Sequence, residues 1–303
     1  MVHRFYLLWE LWMTLHENVR KQLLRSLEQP TDNEIGQLNN AFRLLAKWRS
    51  ILISNTIIES HNTHVLQGPM QGLEYVATAS EGCLAARLIG CYEQPLLPFV
   101  EEAIHTDYAN VVNIGCADGY YAVGMARRMP KAKMWAYDIN PAAQDACRQL
   151  AQKNDVSERI EIGALFSPEN FAQFANEKTL VMCDIEGAEQ ELLDPTLAPE
   201  LAGMDIIVES HECIINGLTQ LLLDRFSVTH EITLIQDSGQ REFEVLPKGY
   251  ENWSNLDQLV ATWEWRSGPT PWMVMKSKVL RIDLAVAQVG SKPKVKAKIK
   301  KVK

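Results

Sequence analysis

Apolar residues recur every three or four positions at the start of the chain. Phe5, Leu8, Trp12, Leu15, Val19, Leu23 and Leu27 fall on one face of a helix ending near Pro30. Thr31 and Glu34 have capping-box spacing and predict a second helix carrying Ile35, Leu38, Phe42 and Leu45. Residues 1–60 therefore read as a helical hairpin, whose apolar face must be covered by the rest of the chain or by a second subunit in a homodimer. Residues 61–96 lose this periodicity and are punctuated by glycine, which predicts a connecting segment that either makes plain turns or closes over a ligand.

From residue 97 the pattern changes to short apolar runs alternating with amphipathic segments. A helix over 97–105 leads to a buried strand at 111–114, a glycine turn at 115–119, a further helix, and a second strand ending on Asp138. Later runs at 159–164, 179–184, 204–209 and 228–234 alternate with helical stretches. Alternation of this kind predicts an α/β fold with a parallel, doubly wound sheet that binds ligands at the carboxyl ends of its strands. Several strands end on polar residues that would share one rim: Asp138, Asp184, and the trio Glu209, His211 and Glu212. Residues 236–271 interrupt the alternation with a turn and three tryptophans, so the domain over 97–280 carries an insertion, read as packing or as a substrate lid, before an apolar strand at 272–275.

Composition narrows the class. The 303 residues are 47% hydrophobic and 22% charged, ordinary for a globular protein. Net charge is −8, and the Lys-rich stretch 281–303, expected to be disordered, holds seven lysines after residue 290. The body is more acidic still, which disfavours nucleic acid as a partner. Six scattered cysteines, none in a C-x-x-C pair, fit buried reduced thiols in a cytoplasmic protein. The apolar N-terminal run is broken by Arg4 and Glu10 and predicts no transmembrane segment. His61 and His64 lack further metal-type neighbours.

The chemistry is carried by the turn Asn113-Ile-Gly-Cys-Ala-Asp-Gly-Tyr-Tyr121. Glycines there let a ligand approach a helix start, and a carboxylate at the next strand tip can accept ribose hydroxyls. The spacing departs from the dinucleotide fingerprint, and bulky Tyr120 and Tyr121 stand where a pyrophosphate would approach. Together with Asp184-Ile-Glu-Gly-Ala-Glu189 and Ile207-Val-Glu-Ser-His211, the turn resembles the FkbM-type branch of the class I S-adenosylmethionine-dependent methyltransferases over about residues 110–234. The resemblance implies a Rossmann-like sheet with a final antiparallel strand. It implies that Gly115, Ala117, Gly119 and Tyr120 enclose the methionine part of the cofactor, with Asn113 near its amino group. Asp138 would hold the ribose, Ile139 would lie against the adenine, and Gly163 and Ala164 would border it, while Asp184 and Glu186 would lie beside the methyl group. The chain departs from the pattern at Asn113, where many relatives carry Asp, and at Met182, where the FkbM pattern often has Lys.

Alignment and a base are what methyl transfer to a hydroxyl asks of a protein. The candidate bases are His211, Glu209, Asp184 and Glu186, with His211 preferred because its ordinary pKa lies near neutrality. The same four side chains have the donor types for a divalent metal, a less favoured reading. Signatures of amine-methylating and cytosine-methylating nucleic-acid enzymes are missing, which points to a small-molecule acceptor such as a sugar hydroxyl. The alternatives are a non-catalytic interaction protein on this fold and an NAD-dependent oxidoreductase.

Overall fold

The computed structural model describes residues 2–76, 83–266, 268 and 270–279, with side chains from residue 14 onward. The Lys-rich stretch at 281–303 lies outside the described residues. Two long helices open the chain, α1 (Val2–Glu28) and α2 (Glu34–His61). The cap of α2 differs from the expected Thr31. Asn33 Oδ1 accepts from the Gly36 N–H at 2.8 Å, and Thr31 Oγ1 accepts from the Asn33 N–H at 3.0 Å, so Thr31 steadies the cap without forming it.

Within one chain the periodic stripe of α2 is left uncovered. Ile35, Leu38 and Phe42 are 76%, 61% and 68% exposed, whereas Ala41, Leu52, Ile53 and Ile57 are buried. The second half of α2 packs on α3 (Leu84–Ile89) and α9 (Asn255–Thr262), and that contact sets the rotation of the whole helix. Each large side chain buried there is worth about 1.5–3 kcal/mol, enough to leave the earlier stripe facing outward.

The remaining elements are α4 (Leu97–His105), β1 (Asn110–Ile114), α5 (Tyr120–Arg128), β2 (Lys133–Tyr137), α6 (Pro141–Lys153), β3 (Ile160–Gly163), β4 (Thr179–Cys183), α7 (Glu189–Leu192), β5 (Asp205–Glu209), α8 (Leu218–Phe226), β6 (His230–Ile235) and β7 (Trp272–Ser277). They form one seven-stranded sheet in the order β3-β2-β1-β4-β5-β7-β6. Strands β1 to β5 pair in parallel, and β7 inserts antiparallel between β5 and β6. This is the expected Rossmann-like sheet, with the antiparallel strand last in sequence. All five residues of β1 and of β4 are buried, as strands covered on both faces must be. Val111 and Met182 face a core built with α2 to α6 and α9; Val112 and Val181 face a second core that includes Phe171, Leu192 and Phe226. No helix of the described residues is long and apolar enough to cross a membrane.

Helix α8 starts at Leu218. Glu212 fixes that start: its carboxylate accepts from the Gly217 and Thr219 N–H groups at 2.6 and 2.9 Å and caps the helix.

The sheet is closed at its working edge by Gly115. Its N–H donates to Tyr137 O at 2.8 Å, and the Asp184 N–H donates to Ile114 O at 3.0 Å, so the tips of β1, β2 and β4 are tied together. Gly115 has φ +78, and a Cβ there would lie 1.6 Å from Asp184 O. Gly217 has a similar φ of +84 but open space around it. Gly115→Ala is expected to cost at least about 3 kcal/mol, because steric overlap adds to backbone strain. Gly217→Ala should cost only about 1 kcal/mol. Urea midpoints of the two variants check the contrast, and equal losses would contradict it.

Candidate active site

The turn after β1 is shaped by backbone needs before it meets any ligand. Ala117 holds φ +47, a left-handed conformation rare outside glycine. Asp138 secures it, accepting from the Ala117 N–H at 2.9 Å through Oδ2 and from the Asn140 N–H at 2.8 Å through Oδ1. Each carboxylate oxygen retains a second lone pair, so Asp138 can still accept hydroxyls. Gly119 lines no part of the site; a Cβ there would lie 2.6 Å from Cys147 Sγ, so this glycine lets α5 close on α6.

Two cavities flank the turn. The first, about 590 Å3, is lined by Tyr137, Asp138, Ile139, Ala164, Leu165 and Phe166. Ile139 and Leu165 are 77% and 73% exposed, two apolar side chains held at its mouth. Gly163 is not on its wall; it makes room for the Tyr137 ring, which a Cβ would meet at 2.3 Å. The second cavity, about 500 Å3, is walled by Asn113, Ala117, Tyr120, Met182, His211 and Trp272, among others. Gly115, Asp184 and Glu186 line both, so the cavities meet over the tips of β1 and β4. The Nε1 atoms of Trp265 and Trp272, on the wall of the second cavity, are buried without a hydrogen-bond partner among the described residues.

The second cavity is rich in acids. Asp184, Glu186 and Glu209 stand where the strand tips were expected to place them, Glu264 joins them from outside the strands, and Glu93 is buried behind the wall beside Asp184 and Glu209. Arg266 compensates: it pairs with Glu93 at 2.9 Å, with Glu264 at 3.1 Å, and with Glu209. Burial and the neighbouring Glu209 charge push the Glu93 carboxyl up to about 7, despite Arg266. Burial, with Glu209 and Glu93, also raises Asp184 well above the ordinary carboxylate range. The donor types for a divalent cation are present in two sets, Asp184 with Glu186 and His211, and Glu93 with Asp184 and Glu209. In the second set Arg266 already supplies the positive charge.

His211 is 3% exposed, and its Nδ1 lies 2.7 Å from Glu189 Oε1. Its Nε2 lies 3.5 Å from both Asp184 and Glu186. Burial lowers the His211 pKa, but the Glu189 hydrogen bond and the surrounding carboxylates outweigh it and leave the pKa raised. Glu189 is fully buried and was overlooked as a site residue although it closes the Asp184–Glu189 motif. Glu212, expected on the acidic rim, is spent on capping α8, and Cys213 is exposed where a buried thiol was expected.

Sequence reasoning also passed over Asp118, a wall residue inside the quoted turn. It accepts from Tyr75 at 2.5 Å and pairs with Arg87 at 3.3 Å, and Arg87 lies over the Tyr92 ring at 4.5 Å. Lys47 of α2 reaches the same cavity, its ammonium 4.7 Å from the Trp265 ring centroid. No local signal marks Lys47, Arg87, Glu93 or Arg266, because only chain folding brings them to the turn. His61, weighed as a metal ligand, accepts from the Lys248 N–H at 2.8 Å.

No family model matches the chain, and no curated protein matches it. Among solved structures it is similar to a putative O-methyltransferase from Klebsiella pneumoniae, at 11% identity over 62% of this chain and 80% of that chain, with a TM-score of 0.43. It is also similar to the O-methyltransferase TomG from Streptomyces achromogenes, involved in tomaymycin synthesis and in complex with SAM (11% identity, 61% of this chain, 79% of that chain, TM-score 0.42). A third is the O-methyltransferase from Bacillus cereus in complex with SAH (14% identity, 61% and 81% coverage, TM-score 0.41). Likeness this distant carries no chemistry to the present chain, whose site must be judged on its own cavities.

Glu93 gives the site a pH signature. A carboxyl whose pKa is raised in the folded state holds a proton that the unfolded chain releases, so its contribution to stability is present at low pH and lost as pH rises through about 7. Melting temperature should therefore fall by a few degrees between about pH 5 and about pH 8, and Glu93→Gln should flatten that slope. Differential scanning calorimetry across this range checks it; an unchanged slope in the variant would contradict it.

Proposed function

We propose that the protein is an S-adenosylmethionine-dependent methyltransferase, with motifs of the FkbM type, that methylates a hydroxyl on a sugar or other small metabolite. The observation that carries this reading is the pair of cavities joined over Gly115, one with apolar residues and a strand-tip carboxylate, the other acidic. That division suits a cofactor with a nucleoside at one end and cationic sulfonium and ammonium groups at the other. A dinucleotide suits it poorly, since its pyrophosphate would stand beside Asp138 and Asp184, at a helix start closed by the packed rings of Tyr75, Tyr92 and Tyr120.

In this reading Asp138 takes the ribose hydroxyls on its remaining lone pairs, and Ile139, Ala164 and Leu165 border the adenine. Asn113, Gly115, Ala117 and Tyr120 enclose the methionine part, and the positive charge is offset by Glu186 and by Asp184, which releases its proton when a cation binds beside it. When bound, the cofactor supplies a methyl group on a sulfonium, already joined to a good leaving group. The chain's task is then alignment and proton removal.

His211 is the base. Glu189 accepts its Nδ1–H, which fixes the tautomer with the Nε2 lone pair toward the carboxylate side of the cavity. Nε2 takes the proton as the acceptor oxygen becomes nucleophilic, and Asp184 and Glu186 stabilise the resulting imidazolium. Glu189 acts through His211 and is a positioning residue.

Asp138→Ala is expected to weaken S-adenosylhomocysteine binding at least about tenfold by calorimetry with the circular dichroism spectrum unchanged. Undiminished affinity would refute the cofactor assignment. His211→Ala should lower turnover by about a hundredfold with cofactor affinity intact. Wild-type turnover should rise with pH through an inflection above about 6.5, the ordinary histidine value, because only the neutral imidazole accepts a proton. Glu189→Gln removes a charge that favours the imidazolium, so it should move the inflection down; an unmoved inflection would leave Glu189 with a merely structural part.

A further inference from the structure

A third cavity, about 710 Å3, lies between α2, α9 and the strap that joins α9 to β7. Its outer part is apolar, formed by Phe42 and Ala46 of α2, Leu256, Leu259 and Val260 of α9, and Trp263 of the strap. Phe42, Leu256 and Leu259 are 68%, 60% and 70% exposed, so large apolar side chains line it without a protein cover among the described residues. Its inner part is polar. Glu264, Arg266 and Thr270 line this cavity and also the acidic cavity that contains His211. Arg241, whose side chain is only 4% exposed, lines it too; it pairs with Asp237 at 2.7 Å and with Glu264 at 2.5 Å, and its Nε–H has no hydrogen-bond partner among the described residues.

The walls are held in place before any ligand arrives. Arg49 of α2 grips Asp257 of α9 through two hydrogen bonds of 2.6 and 2.7 Å. Arg43 of α2 donates to the strap carbonyl of Trp265 at 3.0 Å, and Trp265 itself sits at φ +65, costly for a bulky side chain. A preformed space of this size, apolar with a few convergent polar groups, matches the general description of a small-molecule site.

We propose that this cavity receives the methyl acceptor, and that the acceptor is amphiphilic. An alkyl or aromatic body packs against Phe42, Leu256 and Leu259, and the hydroxyl-bearing head passes between Glu264, Arg266 and Thr270, which line both cavities, to reach His211. The inference rests on the methyl-transfer reading of the adjoining site and narrows its acceptor from any hydroxylated metabolite to one with an apolar portion. It also gives the exposed N-terminal half of α2 a part in the site.

The test uses the full chain and the uncharged probe N-phenyl-1-naphthylamine, whose fluorescence reports an apolar environment. One saturable site is expected, from which heptyl glucoside displaces the probe and methyl glucoside, with the same head and no tail, does not. Phe42→Glu combined with Leu259→Glu changes two exposed side chains and should lower probe affinity at least about tenfold. Equal displacement by both glucosides, no displacement by either, or unchanged probe affinity in the variant would overturn the proposal. So would a wild-type dimer in sedimentation that the variant dissociates, since the face would then belong to a second copy of the chain. S-adenosylhomocysteine binding is measured in parallel; its loss in the wild type would refute the cofactor reading, while the amphiphile results alone decide the cavity.

Discussion

The close passage of Gly115 beneath the Asp184 carbonyl is the contact on which the rest of the site depends. It brings the carboxyl ends of β1 and β4 nearer than any side chain would permit, and the backbone bond from Gly115 to Tyr137 adds the tip of β2. The ridge so formed separates an apolar cavity from an acidic one while leaving both open to a ligand that spans it. Strand order alone would have produced a crevice at this switch point. The absence of a Cβ makes it two chambers of different chemistry.

Charge is the second constraint. Several carboxylates crowd one small volume, and the arrangement is tolerable because Arg266, carried on a distant strap, pairs with three of them. Paired buried charges are weak evidence for stability, since desolvation offsets most of the attraction, whereas an uncompensated one is costly. The raised pKa of Glu93 records the residue of that imbalance. A site left slightly too negative is suited to a cationic ligand and resists anionic ones, and it shields an imidazolium at His211 once formed.

The N-terminal helices are not an appendage to the sheet. Helix α2 supplies Lys47 to the acidic cavity and Phe42 to the third cavity, between α2 and α9, and Arg43 and Arg49 bind it to the strap and to α9. Segments at opposite ends of the described chain therefore enclose one region, with the parallel sheet as the fixed floor.

Much of this was legible in the sequence. Alternating apolar runs specified the strands of the sheet, because strands buried on both faces must be continuously apolar, and the turn 113–121 marked the ligand edge through its glycines. Asp138, Asp184 and Glu209 could be placed at strand tips by counting residues. Counting did not reach what rotation or pairing set from afar: the stripe Ile35–Leu38–Phe42 is left uncovered within the chain because the other half of α2 docks on α9, and Glu212 turned from rim acid to helix cap. Glu189 was visible in the motif, yet its bond to His211 depends on the bend between β4 and α7. The chain by itself determined the sheet, the turn and the chemical character of the rim, since these follow from local pattern. The tertiary structure decided which carboxylates meet Arg266, which nitrogen of His211 is held, and where an apolar cavity opens, because each depends on residues far apart in sequence whose distances only folding sets.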